Sequence, residues 1–180
     1  MSNGPGATPL RVLSDGAAAG LMATVAMDAV RYAKERRSGS DQSFADFELA
    51  RGVDSWEAAP APGQVGRRLI EGLRQKPLPA SAARPVTTGV HLATGALRGA
   101  AFGLVASSLH RGRFPWALAF GPLVWAANYS ALTAVGMYKP TEQEPSSVAS
   151  DVGVHLVYGI GGAVAYYLVD RMSGSNGKDR

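Results

Sequence analysis

Four stretches of the chain are apolar over a length that a soluble helix does not need, and polar segments separate them. Residues 14–33 are apolar except for Asp15, Asp28, Arg31 and a few small polar positions. Residues 87–109 are interrupted only by His91 and Arg98. From Phe114 to Tyr138 run 25 residues with no Asp, Glu, Lys, Arg or His. Residues 152–169 form the last stretch, in which His155 is the only such residue. About 20 apolar residues of helix cross a bilayer core of about 30 Å. The third stretch carries the argument, because a soluble helix of that length keeps one polar face and this one has none. Trp116 and Tyr138 sit near its ends, where an aromatic belt meets the headgroups. The pattern therefore predicts an all-α integral membrane protein, a four-helix bundle.

The polar segments complete the layout. Residues 1–12, rich in Gly, Pro and small polar residues, read as a flexible tail. Residues 13–170 read as a single membrane domain, and 171–180 as a second flexible tail. The stretch from Gly16 to Met27 also has the length of a signal-peptide core, but its flank is barely basic and Asp28 falls in the would-be cleavage zone. The loop 34–86 is too polar to cross a membrane. Within it, QVGRRLIEGLRQ (64–75) sets Val65, Leu69 and Leu73 four apart, with Arg67, Arg68 and Arg74 on the remaining positions. That is a short basic amphipathic helix, resting either at a headgroup surface or on the bundle, or else simply solvated. His110, Arg111 and Arg113 form a tight basic turn, and the acidic stretch 139–151 leads into the fourth span.

Composition changes the picture in three ways. The mean hydropathy of −0.01 averages apolar spans with polar loops and is no sign of solubility. There is no cysteine, which excludes disulfide frameworks, thiolate metal sites and cysteine nucleophiles. The net charge of +4 comes from basic residues that flank the spans and line the amphipathic segment. Anionic lipid headgroups explain that placement better than nucleic acid does. With four spans, both termini share one side with six Lys and Arg, while the long loop, counted from Arg31, and Lys139 put eleven on the other. The positive-inside rule then makes the long loop cytoplasmic, in a plasma or inner membrane.

A repeat ties the spans together. Gly89-Val90-His91-Leu92 with Gly95 recurs 64 residues later as Gly153-Val154-His155-Leu156 with Gly159. The two copies lie in spans that run the same way, which predicts two tandem helix pairs. Gly95, Gly99 and Gly103 form consecutive GxxxG steps, a pattern that lets helix backbones approach closely. At a rise of about 1.5 Å per residue, Asp28, His91 and His155 fall roughly 7 Å inside the same membrane surface. Arg98 and Asn128 fall near the midplane, roughly 15 Å deep. Neither group faces lipid cheaply, so two inward polar layers are expected: Asp28 with His91 and His155, and Arg98 with Asn128.

The first layer admits several chemistries. A carboxylate and two imidazoles from three helices can bind a divalent metal such as zinc or iron. Two histidines at equal depth can ligate a haem, giving a redox protein. The same groups can relay protons or handle ions, because imidazole titrates near neutral pH. Or they only hydrogen-bond to one another and set helix register. Enzyme signatures such as GxSxG, HExxH or a phosphate loop are missing, so a non-enzymatic membrane protein is the leading expectation. A scaffold that packs a second copy or a membrane-protein partner on its Gly/Ala faces is the remaining class. In the loop, Trp56 and Glu57 precede Pro60 and Pro62. The two prolines stiffen an extended segment, with Trp56 either anchored at the interface or helping to cover the first polar layer.

Trp56-Glu57, Ala59-Pro60-Ala61-Pro62 and Val65-Gly66-Arg67-Arg68-Leu69 occur in order. They are followed by His91 with Gly95, Gly99 and Gly103, by Trp125 and Tyr129, by Tyr138-Lys139-Pro140, and by Asp151 with His155-Leu156-Val157-Tyr158-Gly159. In this combination, over about residues 50–170, the chain resembles the uncharacterised small multi-pass inner-membrane proteins of bacteria described as YagU-like. Thr94 and Arg98 depart from the small or aromatic residues that pattern leads one to expect. The resemblance implies an integral protein of the bacterial plasma membrane and no particular activity.

Overall fold

A computed structural model of the chain describes residues 8–109 and 113–175, apart from the side chains at 113, 114, 174 and 175. Among these residues there are helices and no strand. The helices are α1 (Pro9–Arg37), α2 (Phe44–Glu48), α3 (Ala61–Arg74), α4 (Ala83–Ser108), α5 (Arg113–Ala134) and α6 (Pro145–Ser175). Single 3₁₀ turns at Ala80–Ala82 and Pro140–Glu142 lead toward α4 and α6. The basic turn expected at 110–113 lies outside the described residues except for the backbone of Arg113.

Local chemistry explains where the helices begin and end. Thr8 caps α1 by accepting the Arg11 backbone N–H on Oγ1, and Pro9 takes the first helical position, where its missing N–H costs nothing. Residues 9–12 are thus helical rather than part of a tail, and α6 likewise carries residues 171–175. Lys34, Arg36 and Arg37 close α1 against the negative end of its dipole. α5 stops at Ala134, short of the 138 expected from charge alone. There Gly136 turns left-handed at φ +70 and the Met137 N–H reaches back to the Leu132 carbonyl.

Three helical segments are long and apolar enough to cross a membrane: Pro9–Arg37, Ala80–Ser108 and Pro145–Ser173. α5 is not among them. It is uncharged beyond Arg113, but Pro122, two Trp, Asn128 and Tyr129 dilute its hydropathy. Many large apolar side chains on these helices face outward, including Leu97 at 70% exposure and Met172 at 70%. The interior of the same helices is built of small residues, Ala19 and Ala23 among them.

The chain forms two compact units, with the boundary falling inside α1 and α4. The first comprises residues 1–27 and 95–180. In it α1 and α4 meet backbone to backbone: a Cβ on Gly16 would collide with Gly99, and one on Gly99 with Gly16 and Gly20. α5 and α6 meet in the same way, through Gly121 against the His155 backbone and Gly159 against Ala117 and Gly121. Phe102, Trp116, Phe120, Tyr158 and Tyr166 fill the space beside these crossings with stacked and edge-on rings. Arg11 donates to the Asp170 carbonyl, and Ser173 Oγ to Asp15, tying α1 to α6.

The second unit is 28–94. Its small core is Trp56, Ala59 and Ala83, with Val53, Leu78, Ala82 and Val86 packed around it. α3 turns two of its three glycines inward, Gly63 on Thr87 and Gly66 on Val86 and Val90. Leu69 and Leu73, which the sequence pattern assigns to the apolar face, are 61% and 86% exposed.

Candidate functional site

The second unit holds the first polar group. Asp28, on α1, is 3% exposed, and its Oδ2 lies 2.5 Å from His91 Nε2 on α4. Arg31, one turn further along α1, places Nη1 3.9 Å from Asp28 Oδ1. The His91 ring is one-fifth exposed, so the pair stands at the edge of the buried region rather than sealed inside it.

Beside the pair is a cavity of about 300 Å³ whose wall includes Asp28, Arg31, Glu48, Pro60, Pro62 and His91. Pro60 is the residue before α3 and Pro62 lies in its first turn. The Trp56 to Pro62 loop therefore contributes directly to the wall around Asp28 and His91. Trp56 itself does not line the cavity and is buried in the core of this unit. Its Nε1 donates to the Leu78 carbonyl at 3.2 Å, and the Arg67 guanidinium covers its ring at 5.2 Å. Gln64 donates to the Trp56 carbonyl and pins the loop to α3. Glu57 is exposed and does not line the cavity.

Glu48 is the member that the sequence pattern does not reveal. It ends the five-residue helix α2, which Ser43 caps by accepting the Asp46 N–H. Tyr32 holds that helix in place: its ring packs on Phe44 and Phe47, and its hydroxyl donates to the Gln42 carbonyl. Both Glu48 carboxylate oxygens are buried with no hydrogen-bond donor. Burial, and then the neighbouring Asp28 carboxylate, raise the Glu48 carboxyl above its ordinary value.

His155 belongs to the first unit. It is 3% exposed, and its Nδ1 donates to the Asp151 carbonyl at 2.8 Å. Tyr129 donates to Asp151 Oδ2 at 2.5 Å, and its ring stands edge-on to His155 at 6.4 Å. Asp151 and Tyr129 enter the sequence reading only through the family resemblance, although an Asp four residues before a His on one helix is a usable signal. The second polar layer lies in the same unit: Arg98 Nη2 donates to Asn128 Oδ1 at 2.5 Å, and Tyr158 donates to the Gly95 carbonyl at 2.9 Å.

Among the described residues no three His, Asp or Glu side chains are gathered as a set that could hold a metal ion. What the second unit gathers is an acid–base set: a buried carboxylate against a part-exposed imidazole, a second carboxyl beside them, and a cavity at their edge. Compared with known proteins, the chain matches no family model, no curated protein and no solved structure.

Proposed function

We propose that the chain is a multi-pass protein of the plasma membrane, related to the YagU-like proteins, that handles protons through Asp28 and His91. The observation that carries this reading is the 2.5 Å contact between the buried Asp28 carboxylate and the His91 ring at the edge of a cavity. A carboxylate and an imidazole in hydrogen-bond contact are placed to pass a proton from one to the other. An ionisable pair on helices of membrane-spanning length is expensive to keep unless it serves a purpose of this kind. The four-helix arrangement in two tandem pairs is part of the proposal. It is supported by the close glycine crossings of α1 with α4 and of α5 with α6. Exposed Leu69 and Leu73 beside Arg67 and Arg68 support a headgroup-facing role for α3, with anionic lipid as its partner.

The test is proton flux into proteoliposomes that carry a pH-sensitive dye, driven by an imposed membrane potential. The wild-type chain is expected to conduct or exchange protons, and Asp28→Asn and His91→Ala to slow that flux by about 100-fold, as loss of a positioned acid–base group does. Flux in Asp28→Asn equal to wild type would overturn the proposal.

A further inference from the structure

Among the described residues, Glu48 is the one carboxylate whose two oxygens are both buried and both without a donor. A buried carboxylate anion in that position is costly, because water has been removed and nothing replaces it. A proton on the carboxyl removes the charge and creates an O–H donor, and that donor needs an acceptor. The ionisable groups that line the cavity with Glu48 are Asp28 and Arg31 from α1 and His91 from α4, and Gln42, Thr87 and Thr88 are its neutral polar groups. From its own side, Asp46 is occupied by Ser43 and Arg51, and the α3 entry contributes only Pro60 and Pro62. Of these, Asp28 is the carboxylate whose charge and hydrogen bonding act on Glu48, and it is also the group in contact with His91.

We propose that Glu48 holds a proton in the resting molecule and is the port through which the Asp28–His91 pair exchanges protons with the cavity. The inference rests on the proton-handling reading above and adds to it the third group and the route. The internal transfer balances, with hydronium from the cavity as the one outside reactant. The Glu48 O–H bond breaks as its proton passes to the Asp28 carboxyl, while the proton shared in the Asp28 Oδ2–His91 Nε2 contact moves fully onto Nε2. An ionised Glu48 and an imidazolium are left, and a hydronium ion in the cavity returns a proton to Glu48 and is left as water. The raised Glu48 carboxyl fits the same arrangement, with burial and the Asp28 charge as its causes.

The experiment is pH-titrated infrared difference spectroscopy of the full chain in lipid nanodiscs, run beside the flux assay. The wild-type chain should show the C=O band of a protonated carboxylic acid that titrates above the ordinary glutamate range. Glu48→Gln should remove that band, and Asp28→Asn should keep it but move its titration to lower pH, because the facing negative charge is gone. Glu48→Gln should also slow proton flux at least about tenfold. A band that survives in Glu48→Gln, or a wild-type chain with no such band, overturns the assignment of the proton to Glu48. A Glu48 band present with flux unchanged in Glu48→Gln overturns the port and leaves the Asp28–His91 reading standing. Absence of flux in the wild type overturns that reading, while the infrared titration still decides whether Glu48 holds the proton. Because the wild-type titration and the Asp28→Asn shift do not depend on Glu48→Gln, a poorly folded variant does not rescue the proposal.

Discussion

Glu48→Gln is also the variant that separates burial from chemistry at the level of one residue. Burial and the Asp28 charge raise the Glu48 carboxyl above 4.5, so the folded chain holds that proton more tightly than the unfolded chain does. The stability this group contributes is full below 4.5 and is lost as pH rises through the raised folded value. Glutamine mimics the neutral acid and carries no such loss. The two chains are therefore expected to unfold alike at acid pH. Glu48→Gln should become the more stable as pH rises, and the difference should level off above the window. Urea or thermal unfolding of both chains across that range checks it. Asp28 and His91 are legible in the sequence because charge within an apolar run stands out. Glu48 is not, because it lies in a polar loop and reaches the pair only through the packing of Tyr32 on Phe44 and Phe47. Equal depth also said too little about His155: it fixes height along a helix and not the neighbours, which here are Tyr129 and Asp151.

At the scale of helices, the GxxxG reading and the structure meet at particular atoms. A Cβ on Gly99 would strike the backbone of Gly16 and Gly20, whereas a Cβ on Gly89 meets nothing within 4 Å. Gly99→Ala must push α1 and α4 apart and is expected to cost about 1–3 kcal/mol, the usual range for overpacking. Gly89→Ala is expected to gain roughly 0.5–1 kcal/mol from helix propensity alone. Opposite shifts in unfolding midpoint are the check, and equal shifts would mean that the crossing does not depend on the small residue. The same periodic reasoning placed α3 as an amphipathic helix and left open whether it meets headgroups, the bundle or water. Counting apolar side chains pointed to Leu69 and Leu73, whereas close approach to α4 runs through Gly63 and Gly66. Hydropathy sees side-chain size and polarity; it does not see the advantage of having no side chain. Trp56 shows the converse, since an amphipathic ring that suits an interface also suits a core in which Leu78 accepts its N–H.

For the whole molecule, the claim on which the rest depends is that four helices cross a membrane. On the proposed reading, embedding is what would make the Asp28–His91 pair expensive to keep and a proton its cargo. Three helices have the length and hydropathy to cross, and α5, uncharged beyond Arg113 but rich in Trp and Pro, decides between an odd and an even number of crossings. The chain has no cysteine, so single cysteines can be placed against a silent background. Thr8→Cys, Gln75→Cys, Thr141→Cys and Met172→Cys, each probed in intact cells with a membrane-impermeant maleimide, give the direct measurement. Four crossings predict that Thr8→Cys and Met172→Cys label from one side, and Gln75→Cys and Thr141→Cys from the other. Labelling of Thr141→Cys together with Thr8→Cys, and of Met172→Cys together with Gln75→Cys, would leave α5 outside the set of crossing helices and contradict the account.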